Sequence, residues 1–264
     1  MSKIHPSAII DSGAVIGDDV EIGPYCVIGA GVELGAGCWL QNHVTLMGPT
    51  KIGPGNKFYQ SAAIGQQTQD LKYKEEPTYL EIGANNTFRE FCTIHRATSA
   101  GDRTVIGSHN NFLAYSHVGH DCIVGDHIIF SNNGTVGGHV VVEDHAIISG
   151  LSAVHQFCRI GKLSFIGGCA KIVQDVPPFC IVDGNPGRAR GLNLVGLQRA
   201  GLDESRIKAL RIAYRTFYRS GLNASQALEK IQSQPMTPEV ALFADFAATT
   251  KRGLVPASRS QDDE

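Results

Sequence analysis

Apolar side chains recur in this chain at every sixth residue. Steps of six from Ile4 to Ile172 give 29 positions, and 26 of them carry Ile, Leu, Val or Phe. The run opens Ile4, Ile10, Ile16, Ile22 and closes Val154, Ile160, Ile166, Ile172, with Asp70, Glu76 and Ala100 as the exceptions. From the hydrophobic content of 42%, chance gives about 12. A helix repeats every 3.6 residues and a half-buried strand every two, so a period of six marks a repeat architecture.

A second position fixes the geometry. Four residues after each aliphatic stands a short side chain, among them Ala8, Ala14, Cys26, Cys38, Cys92, Ser116, Cys122, Ala146, Ser152 and Cys158. Glycine is frequent directly after the aliphatic, as at Gly17, Gly23, Gly35, Gly53, Gly107 and Gly125. Short strands with one large and one small inward residue, joined by glycine-tolerant turns, wind into a parallel β-helix. Three sides of six residues make a coil of 18, and the 26 intact hexads make nearly nine coils. At ~4.8 Å per coil the prism is roughly 40 Å long.

The length of 264 residues fits one solenoid and one small cap. The expected division is a mainly β solenoid over 1–190 with an inserted loop at 66–81, a C-terminal α-helical domain over 191–255, and a disordered tail at 256–264. A net charge of −2 argues against nucleic-acid binding through bulk electrostatics. No apolar run is long enough to span a membrane, and a repeat that begins at Ile4 leaves no room for a signal peptide. A cytoplasmic protein is therefore expected. The seven cysteines include no CxxC pair, and five fall in the short-residue position, so they read as packing thiols.

Breaks in a solenoid are its informative places, because corner loops carry function. The main break is QQTQDLKYKEEPTYLE, Gln66 to Glu81; a lesser one runs from Ser99 to Arg103. The first reads either as a solvated loop or as an arm lying over a neighbouring coil or subunit. The repeat ends at Gln174-Asp175-Val176-Pro177-Pro178, and a Gly/Pro/Arg-rich linker, Asp183 to Arg190, follows. Helical patterns then cover Asp203 to Arg219, Asn223 to Gln234, and a segment from Thr237 to a stop at Gly253. These helices are expected to cover the open end of the solenoid and block edge pairing.

Eight of the ten histidines lie between residues 95 and 155. His109, His127 and His145 are 18 apart and so stack on one face. His117, His120, His139 and His155 emerge near one corner of successive coils, beside Gly119, Gly137, Gly138, Asp121 and Gln156. Any one of them alone is an ordinary surface or core histidine; together, with glycines that let a ligand approach the backbone, they point to a site. Asp121 can orient His120 and raise its basicity, as a general base near neutral pH requires, provided the chain turns between them. A prism with flat sides favours closed cyclic association, and a trimer matches the three-sided section.

The hexads, QDLKY at 69–73, TIHR at 93–96, HVGHDC at 117–122, AVHQF at 153–157, QDVPP at 174–178 and the helical tail together resemble the UDP-N-acetylglucosamine 3-O-acyltransferase family of lipid A biosynthesis. The resemblance implies a homotrimer of left-handed parallel β-helices with active sites between subunits. It implies transfer of an (R)-3-hydroxyacyl group from acyl carrier protein to the glucosamine 3-hydroxyl of UDP-N-acetylglucosamine, with no cofactor, no metal and no covalent acyl-enzyme. Carried over by motif, His120 is the general base, Asp121 its partner, and the Gly138 N–H the oxyanion donor. Asp70 and Lys72 contact the sugar and the donor; Gln69, His117, His139, His155 and Gln156 line the cleft; Asn193 and Arg199 meet the nucleotide. Gly168 stands at the acyl-length position, where a glycine leaves room for a long, myristoyl-class chain. Val195 and Ala200 depart from the family pattern of Glu and a second Arg near the nucleotide. Arg211, Arg215 and Arg219, with Arg206 and Lys208 nearby, read either as a solvated face or as a docking surface for the acidic carrier protein. Rival readings are a zinc carbonic anhydrase liganded by His117, His120 and His139 from adjacent subunits, a coenzyme A-dependent acetyltransferase, and a non-catalytic scaffold.

Overall fold

The computed structural model describes residues 2–234 and 236–258. Its body is a three-sided prism of parallel sheets. The first face runs from Lys3–Ile4 up to Phe165–Ile166 and ends in Cys180–Asp183 and Arg188–Leu192; the second runs from Ile9–Ile10 to Lys171–Ile172; the third runs from Val15–Ile16 to Arg159–Ile160. Most strands are two residues long, and the chain visits the faces in turn. The register is the predicted one: Asn111 pairs with Ile129, and Ile129 with Ile147, each 18 residues on.

The aliphatic of each hexad points to the axis. Ile28, Leu46, Ile64, Val118, Val136 and Ile166 are fully buried, and Phe58, Phe88, Phe112 and Phe130 stack one above another along the axis with ring centroids 4.9, 5.0 and 5.1 Å apart. Each such side chain contributes about 1.5–3 kcal/mol by leaving water. The short position is buried too. Where it holds asparagine it forms an internal ladder: Asn86 Nδ2 donates to Asn56 Oδ1 and to the Gly107 carbonyl, and Asn86 Oδ1 accepts the Asn110 N–H at 2.8 Å. The cysteines at this position are buried, and desolvation pushes the Cys92 and Cys122 thiols up to about 12. Among the described residues no coil lies below Ile4, which is 47% exposed although it belongs to the core phase.

The turn chemistry differs from the expectation. The left-handed backbone falls three residues after the aliphatic, on residues such as Tyr25, His43, His109, Tyr115, Asp121, His139 and Phe157. The N–H of that residue reaches a carbonyl of the coil below: His127 to Ser108, His139 to His120, His145 to Asp126. The glycines directly after the aliphatic are there for close approach instead. A Cβ on Gly35 would lie 2.5 Å from the Gly53 carbonyl carbon, and one on Gly107 would lie 2.6 Å from the Gly125 oxygen. The ladder of His109, His127 and His145 forms as expected, with ring centroids 5.0 and 4.8 Å apart.

Register locates both insertions. Lys57 pairs with Thr87, 30 residues on instead of 18, and Thr87 pairs with Asn111, 24 on. The excess of 12 lies between Ala63–Gln66 and Tyr79–Ile82, and the excess of 6 between Thr93–His95 and Arg103–Ile106. Both are therefore at the corner between the second and third faces. The three exceptions to the sixfold phase, residues 70, 76 and 100, fall inside these insertions.

The C-terminal part departs from the sequence reading in four places. The expected linker is the turn of an antiparallel hairpin, Cys180–Asp183 with Arg188–Leu192, that extends the first face beyond Pro178; its Asn185–Pro186 peptide is cis. A short helix α1, Leu194–Arg199, precedes the expected ones. The next two are α2, Glu204–Arg219, capped by Asp203, and α3, Ala224–Gln232, closed by an Asn223/Gln226 capping box. The last, α4, Pro238–Ala248, begins at the Thr237 cap but ends before Thr249, not at Gly253. The chain then turns back onto the solenoid, where Thr250 Oγ1 donates to Asp175 Oδ2 at 2.6 Å and the Val255 N–H to the Asp175 carbonyl at 2.9 Å. Residues 256–258 are thus not a disordered tail: Ala257 bridges Ala189, and the Ser258 N–H donates to the Ala189 carbonyl. Residues 259–264 lie outside the described residues. Ile207, Leu210, Ala213 and Phe243 continue the same hydrophobic core as Val182 and Leu192.

Candidate active site

Three consecutive coils present their second-to-third corners as Gly119-His120-Asp121, Gly137-Gly138-His139 and His155-Gln156-Phe157. Asp121, His139 and Phe157 occupy the left-handed position with φ of 60°, 58° and 65°. That turn is what lets neighbours in sequence face each other: His120 Nδ1 lies 2.7 Å from Asp121 Oδ2. Both side chains are largely buried, at 13% and 8% exposed, which strengthens the pair by excluding water. The insertion displaces the coil below Asp121, and its N–H donates to the Thr104 hydroxyl at 2.8 Å instead of to a carbonyl.

Gly138 makes room for the base. A Cβ there would lie 2.3 Å from His120 Cε1 and 2.5 Å from Nε2. Among the described residues the Gly138 N–H donates to no backbone carbonyl. His139 stands edge-on to His120 with centroids 5.2 Å apart and stacks on Phe157 at 4.6 Å; its Nε2 is 3.6 Å from Asp121 Oδ2. His117 is held from the adjacent strand by Thr93, whose Oγ1 is 2.7 Å from Nδ1, and its pKa is lowered by burial and then by His120. His95, 5% exposed, sits edge-on to His117; burial first, then the adjacent basic groups His117, His120 and Arg96, pushes it down to about 4. Asp121 and His139 open onto a cleft of about 470 Å³ shared with Asp102, Arg103 and Ile123. A larger concavity, about 710 Å³, lies at the open N-terminal coils among Ile4, Tyr25 and Trp39, coils away from this pair.

Of the histidines weighed for zinc, His117 stands outside the set that converges within this chain; its Nδ1 lies 2.7 Å from Thr93 Oγ1. The ligand atoms that do converge, within 4.8 Å of one another, belong to His120, Asp121 and His139.

The profile described as "Udp N-acetylglucosamine O-acyltransferase; Domain 2" matches residues 175–255, and that of the bacterial transferase hexapeptide (six repeats) matches residues 1–36. A curated relative from Stutzerimonas stutzeri (strain A1501), "Acyl-[acyl-carrier-protein]--UDP-N-acetylglucosamine O-acyltransferase", is 48% identical over 257 residues, 96% of this chain and 99% of the relative. The chain belongs to this O-acyltransferase family. Among solved structures, LpxA from Acinetobacter baumannii is 48% identical and superposes with a TM-score of 0.93 over 96% of this chain and 99% of that one. The UDP-N-acetylglucosamine acyltransferase of Francisella novicida is 36% identical with a TM-score of 0.93, over 97% of this chain and 95% of that one. The parallel faces, the hexapeptide repeat and these relatives together make the prism a left-handed β-helix with a C-terminal helical region.

The other positions that the acyltransferase resemblance singles out are scattered over the chain. Gln69, Asp70 and Lys72 lie in the arm above the same corner; the Lys72 N–H donates to Asp70 Oδ1 at 2.9 Å, and Gln69 and Lys72 are exposed. His155 and Gln156 are exposed two coils above His120. Gly168 sits at a different corner, between the first and second faces, where a Cβ would meet nothing closer than 3.5 Å. Asn193 caps α1: its side chain accepts the Gly196 N–H at 3.0 Å and donates to the Leu163 carbonyl at 2.9 Å, so its polar atoms serve the fold, near the third corner. Arg199 is exposed in the last turn of α1, with Val195 and Ala200 also exposed. Lys208, Arg211, Arg215 and Arg219 are exposed along α2, whereas Arg206 is paired with Glu239 and leaves the patch.

Sequence reasoning missed Thr68, Thr98 and Thr104, which surround the His120–Asp121 pair. Thr68 stands inside the main break, and Thr98 in the short-residue position just before the lesser one, so the period gives the first no place and reads the second as packing.

Proposed function

We propose that the chain transfers an (R)-3-hydroxyacyl group from acyl carrier protein to the 3-hydroxyl of UDP-N-acetylglucosamine, the first step of lipid A biosynthesis, in the cytoplasm. The observation that carries this reading is the largely buried His120–Asp121 pair under the inserted arm, in a chain so similar to a curated acyl-carrier-protein–dependent O-acyltransferase. Asp121 accepts a hydrogen bond from the His120 Nδ1–H, which keeps the proton there and leaves a lone pair on Nε2. Nε2 takes the proton of the acceptor hydroxyl as its oxygen attacks the thioester carbonyl carbon. The Gly138 N–H stabilises the resulting oxyanion. When the tetrahedral intermediate collapses, the C–S bond breaks and the departing sulfur receives the proton from Nε2. An ester and a free carrier thiol result, with no covalent enzyme intermediate.

A single chain does not complete the site. Gly168 and Arg199 lie away from the corner that holds His120. Association about a threefold axis, with each site shared between two prisms, supplies them from a neighbouring chain. The exposed basic residues of α2 suit an acidic carrier protein.

The test is acyl transfer by purified protein with (R)-3-hydroxyacyl carrier proteins of graded length. His120→Ala is expected to lose about 10²–10⁴-fold in rate, the usual contribution of a general base. Full activity in that variant removes His120 from the role. No transfer by the unaltered protein, with coenzyme A thioesters accepted instead or with stoichiometric bound zinc, favours the rival readings.

A further inference from the structure

We propose that Thr98 and Thr68 are positioning residues for His120, linking the substrate arm to the base through two hydroxyls. This rests on the reading of His120 as the base. Thr98 touches both members of the pair: its Oγ1 is 3.0 Å from His120 Nδ1, and its N–H donates to Asp121 Oδ1 at 3.3 Å. Thr98 Oγ1 is in turn 2.9 Å from Thr68 Oγ1, and Thr68 Oγ1 accepts the Asp70 N–H at 3.1 Å. Both threonines are buried, at 5% and 6% exposed, so the hydroxyls satisfy one another and not water. The chain of contacts runs from Asp70 in one insertion, through Thr68, to Thr98 in the other, and ends on the ring nitrogen that does not meet substrate.

The proton positions give the link its consequence. A base needs its lone pair on Nε2, so Nδ1 must carry the proton. A hydroxyl 3.0 Å from Nδ1 acts in one of two ways. With its O–H turned toward Thr68, Thr98 offers a lone pair to Nδ1–H and supports the productive tautomer. With its O–H turned toward Nδ1, it donates there and favours the tautomer protonated on Nε2, which accepts nothing. Asp121, an acceptor only, holds the proton on Nδ1, and the first arrangement keeps Thr98 compatible with it by giving the Thr98 O–H to Thr68. The Asp70 N–H fills one of its lone pairs, and the other accepts the Thr98 O–H. Docking of an acceptor against the arm holds Thr68, and through it the tautomer of His120.

The experiment compares kcat and acceptor KM for Thr98→Val, Thr98→Ser, Thr68→Val and the double variant Thr68→Val/Thr98→Val, with His120→Gln as control. Imidazole ¹⁵N spectra of histidine-labelled protein are recorded in parallel, and the His120 signals are assigned by their loss in the control. Removing one hydrogen bond to the base is expected to lower kcat about threefold to tenfold. Thr98→Val should do so with acceptor KM little changed, and Thr98→Ser should recover. Thr68→Val should lower kcat, raise acceptor KM through the loosened arm, and shift the His120 spectrum toward the Nε2-protonated form. The double variant should show the kcat of Thr98→Val alone, because Thr68 acts on kcat through Thr98. Unaltered kcat in Thr98→Val, no recovery in Thr98→Ser, or losses that multiply in the double variant would each overturn the proposal. Undiminished transfer by His120→Gln would remove the base reading itself; collapse of that control beside a fully active Thr98→Val would remove only the hydroxyl link.

Discussion

A methyl group on Gly138 would lie 2.3 Å from His120 Cε1, closer than carbon atoms approach without displacement. The backbone of Gly138 is not left-handed, so alanine is not excluded there by φ; the nearest obstacle is the imidazole. Gly138→Ala is therefore expected to fold with an unchanged melting temperature, yet to lose about 10²-fold or more in transfer as the ring is pushed off the Asp121 axis. Kinetics and calorimetry on the same preparation check both halves. At this scale the sequence was partly readable. His120, Asp121, His139 and Gln156 share a corner because their positions within an 18-residue coil are close, and that follows from counting. Thr68 escapes counting because it stands inside the main break, and Thr98 because counting gives it only the short packing position. Asn193, singled out by resemblance alone, also caps a helix, and a capping role leaves no mark on the period.

The elements are short, and their stability lies between coils instead of within them. The asparagine ladder is the clearest case. Asn86 is fully buried and joins the turns of three coils through Asn56, Gly107 and Asn110. Asn86→Ala strands the Asn110 N–H and the Gly107 carbonyl and opens a void beside Phe88. It is expected to destabilise by about 2–4 kcal/mol, read as a lower denaturant midpoint with normal kinetics under native conditions. The sheet order and register of the prism were legible because one period specified them all. The hairpin after Pro178 was not. Its strands lack the sixfold phase, and its Gly/Pro-rich turn has the composition of a linker. The cap of α2 was legible from Asp203 before an amphipathic run, whereas α1, at six residues, is too short to show a period.

For the whole molecule, the decisive quantity is how many chains make one site. Three chains of 28.3 kDa give a particle of about 85 kDa, which light scattering distinguishes from a monomer. Sharing of sites is tested by mixing. A His120→Ala chain and an Arg199→Ala chain, each weak alone, are expected to regain activity when co-assembled, because some sites then combine an intact His120 with a neighbour's intact Arg199. A site built within one chain predicts no gain. No helix among the described residues is long and apolar enough to cross a membrane.

The 18-residue spacing of paired strands also bears on how the chain reaches this state. An all-β protein ordinarily folds slowly because its partners are far apart in sequence. Here each coil needs only its predecessor, so the loop to be closed stays the same size however long the chain grows, and coils can dock one at a time behind the ribosome. The exceptions are the coils of 30 and 24 residues. Closing 30 instead of 18 costs about 0.5 kcal/mol more, roughly a twofold delay. The zipper therefore pauses longest at the two turns that carry the arm and Thr98, immediately before the coil that brings in His120.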